Sequence, residues 1–494
     1  MEMLRKTKGT RAIIFCCYVI VSVFLISSCG GGGGGAAPTP STGTAFWAVD
    51  FRTTSPTYYQ TRANKAAEGT HCYIYIEQGL VADAAEIAAI RDEFDNNIYP
   101  TVRNAFGSEP NPGVDNDPKI YVLLLNIRDG FNGGSYTAGF YNSGNEYSVA
   151  DNPHSNVKEM LYMNFNPALP LTATGFFTTL AHEFQHMIHW EQKTHLKSLD
   201  DDTWLDEAMS EIAPTYLYGP NYGRIVDYEN APSDSLTDWQ GLVSDYGVAY
   251  MWSQYFKDQF DTGGGNIFKG IMQQNSTGIT SVNSALTTTF VSKTFDIAFK
   301  DMSIAILSGN TMNWGGHPEW SYTSINTIPG TYSYGISNAE TATLPGLFPI
   351  ANTSNRNVST LPALPIWSVG FYMYDPFISP PNGSIKWTAS GVETAALIDG
   401  GNTILYAGIT SGTTYPFDTA GFLIVSNSSG TAHGSVVYGS PSSVGSPVRL
   451  TPKQILSAAN VHAIERGKSQ DICVQSYFAE QEKELRAKGI RPGF

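Results

Sequence analysis

The stretch TGFFTTLAHEFQHMIHWEQ, residues 174–192, restricts the fold more than any other part of this chain. Laid on a helix, Phe177, Leu180, Ala181, Phe184, Met187 and Ile188 fall within an arc of about 120°. That face needs a core to lie on. His182, His186 and His189 gather on the opposite face, and Glu183 stands to one side, about 100° round from His182. The 494 residues contain nine histidines, so three within eight residues is a concentration. An ordinary amphipathic helix with imidazoles on its polar side accounts for the stripe but not for the order His-Glu-x-x-His. Two imidazoles one turn apart can hold one zinc ion, and a carboxylate beside the first can reach a water on that metal.

A catalytic zinc takes three protein ligands and leaves a fourth position for water. His189 lies on the right face but roughly 10 Å along the axis from His182, too far for a short side chain to close. The spacing of a third histidine six residues after His186 is also missing, because Gln192 stands there. His195, just past the expected helix, is a weak candidate. WLDEAMSE, residues 204–211, is a stronger source. On a helical wheel Glu207 and Glu211 share one face, with Trp204, Leu205, Ala208, Met209 and Ile212 turned toward a core. Glu207 follows His186 by 21 residues, enough for a loop and a returning helix. It is the expected third ligand, and Glu211 is expected to hold the N–H of a metal-bound histidine. Two solvated glutamates on a surface helix would be the plainer reading if the His-Glu-x-x-His stretch were absent.

HEFQHMIHWEQ followed by WLDEAMSE resembles the gluzincin metallopeptidases, and HEFQHMI in particular resembles the hyicolysin-type peptidases. The close match covers residues 174–213. Two departures stand out: His189 occupies a position where relatives often carry Asn, and Pro214 shortens or kinks the second helix. The resemblance implies a zincin-type catalytic domain that hydrolyses peptide bonds with one Zn2+ per chain. It implies His182, His186 and Glu207 as ligands and Glu183 as general base. It also implies a Tyr or His that steadies the oxyanion, for which Tyr246 and Tyr250 are the candidates. An extended substrate is expected to pair along an exposed strand edge, for which EMLYMNF, residues 159–165, is the candidate. Two other functions compete: a surface adhesin or binding module that keeps a zinc site without turnover, and a zinc hydrolase acting on something other than peptides.

The start of the chain is an address. Arg5, Lys6, Lys8 and Arg11 precede an apolar run over 12–26, then ISSC and six glycines, the order of an export signal. The four residues ISSC resemble a bacterial lipobox. That resemblance implies lipid on Cys29, membrane attachment through it, and a place in the bacterial cell envelope facing the periplasm or the cell surface. Residues 1–28 hold four basic residues and one acidic one, so the mature chain would carry a net charge near −18. Such a charge argues against nucleic acid as a partner. Cys72 and Cys473 are candidates for one disulfide in an oxidising compartment, with two free buried thiols as the equal alternative. VDNDP and SLDDD are acidic, but neither is a complete calcium loop.

These readings divide the chain into a signal peptide (1–28), a Gly/Pro/Ser/Thr-rich tether (29–45), a metallopeptidase domain (46–330), a β-sandwich-like domain (331–445) and a helical tail (446–494). Strands come first and helices after within 46–330, so the expected class is α+β. Strands are expected at 71–78, 118–127 and 159–165. Helices are expected over 82–107, with a break or kink at Pro100, over 174–192, from Thr203, and over 247–260. Beyond residue 320, short apolar runs separated by Gly, Ser, Thr and Pro predict β structure, and KQILSAANVHAIERG and YFAEQEKELRAKG predict helices at the end.

Overall fold

The computed structural model describes residues 42–325 except 54, 132–135, 166–170, 262–265, 291 and 309–316. It also describes the strands and short connections between 347 and 438, and residues 474–492. Cys29, Cys473, the signal, most of the tether and KQILSAANVHAIERG lie outside the described residues. The chain divides at residue 42, and residues 43–494 form one compact unit.

Within that unit the first structure is a six-stranded sheet of order β1-β2-β3-β4-β6-β5. Its strands are β1 (Thr44–Asp50), β2 (Thr57–Glu68), β3 (Cys72–Glu77), β4 (Ile120–Leu125), β5 (Gly139–Tyr141) and β6 (Met160–Asn164). β3, β4 and β6 run parallel, and the outer pairs are antiparallel. The continuous apolar run of β4 suits burial on both faces. Its Ile120, Val122 and Leu124 enter the large core, while Leu123 and Leu125 pack on the other side with Phe46, Phe140 and Tyr162. β6 is divided in the same way, Leu161 and Met163 to one side, Met160 and Tyr162 to the other. The expectation that 159–165 is an exposed edge is therefore corrected. β6 is bonded to β4 on one side and β5 on the other, and all five of its residues are buried. On that side of the sheet the edge strand is β5.

The helices begin with α1 (Ala84–Glu93), whose N-cap Asp83 and Glu86 form a reciprocal capping box. The expected helix over 82–107 is interrupted as foreseen, but ahead of the proline. A wide π turn over Phe94–Ile98 leads into α2 (Tyr99–Phe106), whose first turn holds Pro100. A proline lacks the N–H for the preceding turn and crowds the carbonyl four residues back, so it is accommodated at a helix start. α3 (Thr174–His189) carries the histidines and runs on as a π turn through His195, three residues past the expected end. α4 (Thr203–Ile212) returns across it, and α5 (Thr215–Tyr218) adds one turn after Pro214. α6 (Tyr222–Asn230) and α7 (Val243–Phe260) follow, then α8 (Ile267–Met272), α9 (Gly278–Thr289) and α10 (Phe295–Ser308). Trp204 of α4 meets Trp252 of α7 edge to face with ring centres 5.2 Å apart, deep in the core. A mixed sheet with helices packed beside it is an α+β arrangement.

Among the described residues further strands follow: β7 (Leu347–Pro349), β8 (Asn357–Thr360), β9 (Ser368–Tyr374), β10 (Gly383–Ser390), β11 (Glu393–Asp399), β12 (Ile404–Ile409), β13 (Thr414–Phe417), β14 (Gly421–Asn427) and β15 (His433–Tyr438). They form one sheet of order β13-β10-β15-β8 and another of order β12-β11-β14-β9-β7. The second touches the helices through Trp367, whose ring lies 4.7 Å from Phe295 and 5.4 Å from Phe299 of α10. The chain closes with α11 (Val474–Ala487), which lies against the first sheet. Its Phe478 stacks on Phe140 at 5.5 Å, and its buried Glu482 accepts bonds from Ser143 and Tyr147.

Candidate metal centre and active site

The apolar face of α3 fixes the rotation of the helix, and that rotation turns His182 and His186 toward α4. There they meet Glu207. The Nε2 atoms of the two histidines are 3.0 Å apart, and each lies 3.6 Å from Glu207 Oε2. Three ligand atoms around a tetrahedral zinc, at bond lengths near 2.0–2.1 Å, stand about 3.4 Å from one another. The observed spacings surround that value, so the residues present fit a zinc ion. All three are buried, His182 to 8 %, His186 to 2 % and Glu207 to 1 % exposure. Among the described residues this is the group of His, Cys, Asp and Glu that could hold a metal ion. Burial, reinforced by His186 alongside, pushes the His182 imidazole well below its ordinary pKa, so it stays neutral with a lone pair available. Glu183 is buried on α3 directly after His182.

The far side of each histidine is held. His186 Nδ1 lies 2.9 Å from Asp206 Oδ1 and 2.9 Å from Ser210 Oγ. An N–H donated there leaves the Nε2 lone pair facing Glu207 and His182. His182 Nδ1 lies 3.5 Å from Glu211 Oε1. Glu211 thus faces a histidine, but its short bonds go elsewhere. It accepts two from Arg224, at 2.8 Å to Nε and 2.7 Å to Nη2. The Arg224 guanidinium also sits 3.3 Å from Asp227 and lies over the Tyr246 ring at 4.7 Å. Asp206, Ser210 and Arg224 were not singled out in the sequence. Asp206 and Ser210 lie within the quoted WLDEAMSE stretch, one residue before and three after Glu207, so the motif itself was their signal. Arg224 had none.

The two tyrosine candidates part company. The Tyr250 hydroxyl accepts from the Asn221 N–H at 2.7 Å and donates to Gln254 Oε1 at 2.8 Å, within a buried network. Tyr246 is buried beneath Arg224. His189 faces Asp206 and Asp201, each at 3.3 Å, and His195 is bonded to Glu191 at 2.7 Å and stacked on Trp190. Cys72 is a free buried thiol, and its expected partner Cys473 lies outside the described residues. The acidic stretches are used internally. Asp115 holds Lys158, Asp117 holds Tyr73, and Asp201 accepts from the N–H of Gly278. His182 opens into a cleft of about 300 Å³ lined by Tyr136, Thr179, Tyr218, Tyr222 and Arg224.

No family model matches the chain. The chain is similar to the neutral metalloprotease ShpI of Staphylococcus hyicus, with 34 % identity over 258 residues, which cover 49 % of this chain and 57 % of that protein. That likeness supports a metallopeptidase relationship. The chain spans somewhat more than half the length of the curated relative it matches. A protease relative and a buried His182–His186–Glu207 group together point to a metal cofactor, with zinc the best fit to two imidazoles and one carboxylate.

Proposed function

We propose that this chain is a zinc-dependent endopeptidase with a zincin-type catalytic domain, lipid-anchored through Cys29 in the bacterial cell envelope. The observation that carries the catalytic reading is the convergence of His182 Nε2, His186 Nε2 and Glu207 Oε2 at 3.0–3.6 Å on two adjoining helices. His182, His186 and Glu207 would hold the ion, which when bound supplies an acidified water and a polarised carbonyl. Glu183, beside His182, would accept a proton from that water and return it to the leaving amine. Asp206 and Ser210 keep the lone pair of His186 aimed inward, and Glu211 with Arg224 backs His182. The substrate is a protein or peptide chain lying in the cleft beside His182. With β6 enclosed, any strand pairing by the substrate falls to the β5 side of the sheet.

Purified mature protein should contain about one zinc per chain and digest an unfolded protein such as casein. A chelator should abolish digestion and added zinc should restore it. Zinc binding without digestion of any peptide would leave the adhesin reading standing, and ester hydrolysis alone would leave the other.

A further inference from the structure

Behind the metal centre a second histidine lies between two carboxylates. His189 is one turn beyond His186 on α3 and is 3 % exposed. Its Nδ1 stands 3.3 Å from Asp206 Oδ1, the same oxygen that faces His186 Nδ1 at 2.9 Å. Its Nε2 stands 3.3 Å from Asp201 Oδ2. Asp201 is in turn fixed from a distant element: its Oδ1 accepts the first N–H of α9, from Gly278, at 2.7 Å. Lys193, fully buried, stands 3.5 Å from Asp201 and is tied to Ser276 O at 2.9 Å and Ser281 Oγ at 2.8 Å. The side chain of Asp206, by contrast, is 30 % exposed. Left to itself, a carboxylate that open has other rotamers and water to turn to.

We infer that His189, held by Asp201, is a positioning residue that pins Asp206 against His186 and so raises the affinity of the His182–His186–Glu207 group for zinc. The two ring nitrogens of His189 face different carboxylates, so it cannot add a fourth ligand to the same ion. The groups run from the α9 terminus inward, Asp201 to His189 to Asp206 to His186; the Gly278–Asp201 and Asp206–His186 contacts are hydrogen bonds, and His189 stands between them within 3.3 Å of a carboxylate oxygen on either side. Partners of metal-bound histidines typically change metal affinity by 10–100-fold. A residue acting one contact further out should fall near the lower end.

The inference rests on the zinc reading of the site, and one titration separates the two. Zinc dissociation constants would be measured by competition with a chromogenic chelator for the wild type, His189→Phe, His189→Gln, Asp201→Asn, Asp206→Ala and the Asp206→Ala/His189→Phe double variant. His189→Phe fills the same volume without a donor and should weaken zinc by roughly 10-fold. His189→Gln keeps a donor toward Asp206 and should recover most of that loss. In the Asp206→Ala background His189→Phe should change affinity by less than about twofold, because the residue it acts through is gone. A packing role alone would give the same loss in both backgrounds and would overturn the inference, as would unchanged zinc affinity in His189→Phe. Should His189→Phe fail to fold, Asp201→Asn, nearly the same shape, decides: zinc held as tightly as in the wild type overturns the inference. A wild type that binds no zinc would instead overturn the function proposed above.

Discussion

At the scale of single residues, Glu207 and Glu211 sit one turn apart on α4 and differ in what they face. Glu207 meets two imidazole nitrogens, whereas Glu211 is the chief partner of a buried guanidinium. Removing Glu211 takes from Arg224, whose side chain is 5 % exposed, its two shortest bonds to a carboxylate, with Asp227 still at 3.3 Å. Breaking such a pair costs up to about 3–5 kcal/mol. Glu207→Ala leaves no buried guanidinium behind. Urea unfolding of the zinc-free proteins should therefore show Glu211→Ala clearly less stable than Glu207→Ala, and equal stabilities would contradict this. Glu211 was legible as a carboxylate on the metal-facing side because the helical period put it there. Its marriage to Arg224 was not, because nothing local in NYGRIVDY marks one residue for a contact 13 positions back.

At the scale of elements, α3, α4 and α7 were readable because their apolar residues repeat at helical spacing and must be buried. β2 was not readable. Only Ala63 of its twelve residues is buried, and the strand exists because β1 and β3 bond it from both sides. β6 was found but misplaced, since an apolar run does not reveal whether one neighbour or two will bond it. The packing of α6 on α7 was equally invisible. It depends on Gly247, where a methyl group would stand 2.3 Å from the backbone nitrogen of Tyr228. Backbone cannot yield as a flexible side chain does. An alanine in a helix ordinarily gains about 0.5–1 kcal/mol over glycine, but overpacking of this kind costs about 1–3 kcal/mol or more. Gly247→Ala should lower Tm. An unchanged or raised Tm would show that α6 moves freely. Because α6 carries Arg224, the same substitution should also loosen the support of Glu211.

At the scale of the whole molecule, the sheet beside the candidate metal centre is completed from both ends of the described residues. β1 opens the sheet, and α11, nearly 300 residues after α3, seats Phe478 and Glu482 against β5 and the turn that follows it. The helical character of this tail could be read from its sequence, but not its place, because long-range packing leaves no local period. The anchor proposed at the other end has a direct test. Cys29→Ser should move the protein from the membrane fraction to the soluble one or block its maturation. Unchanged fractionation, with no lipid on Cys29 of the wild type, would refute the anchor and leave the catalytic proposal intact. That catalytic proposal is tested most directly by Glu183→Gln, with zinc content and peptide hydrolysis measured on the same sample. The three ligands His182, His186 and Glu207 remain, so zinc should stay near one per chain while hydrolysis falls by about 10²–10⁴-fold, the usual contribution of a positioned base. Full hydrolysis in Glu183→Gln would contradict the mechanism at its centre.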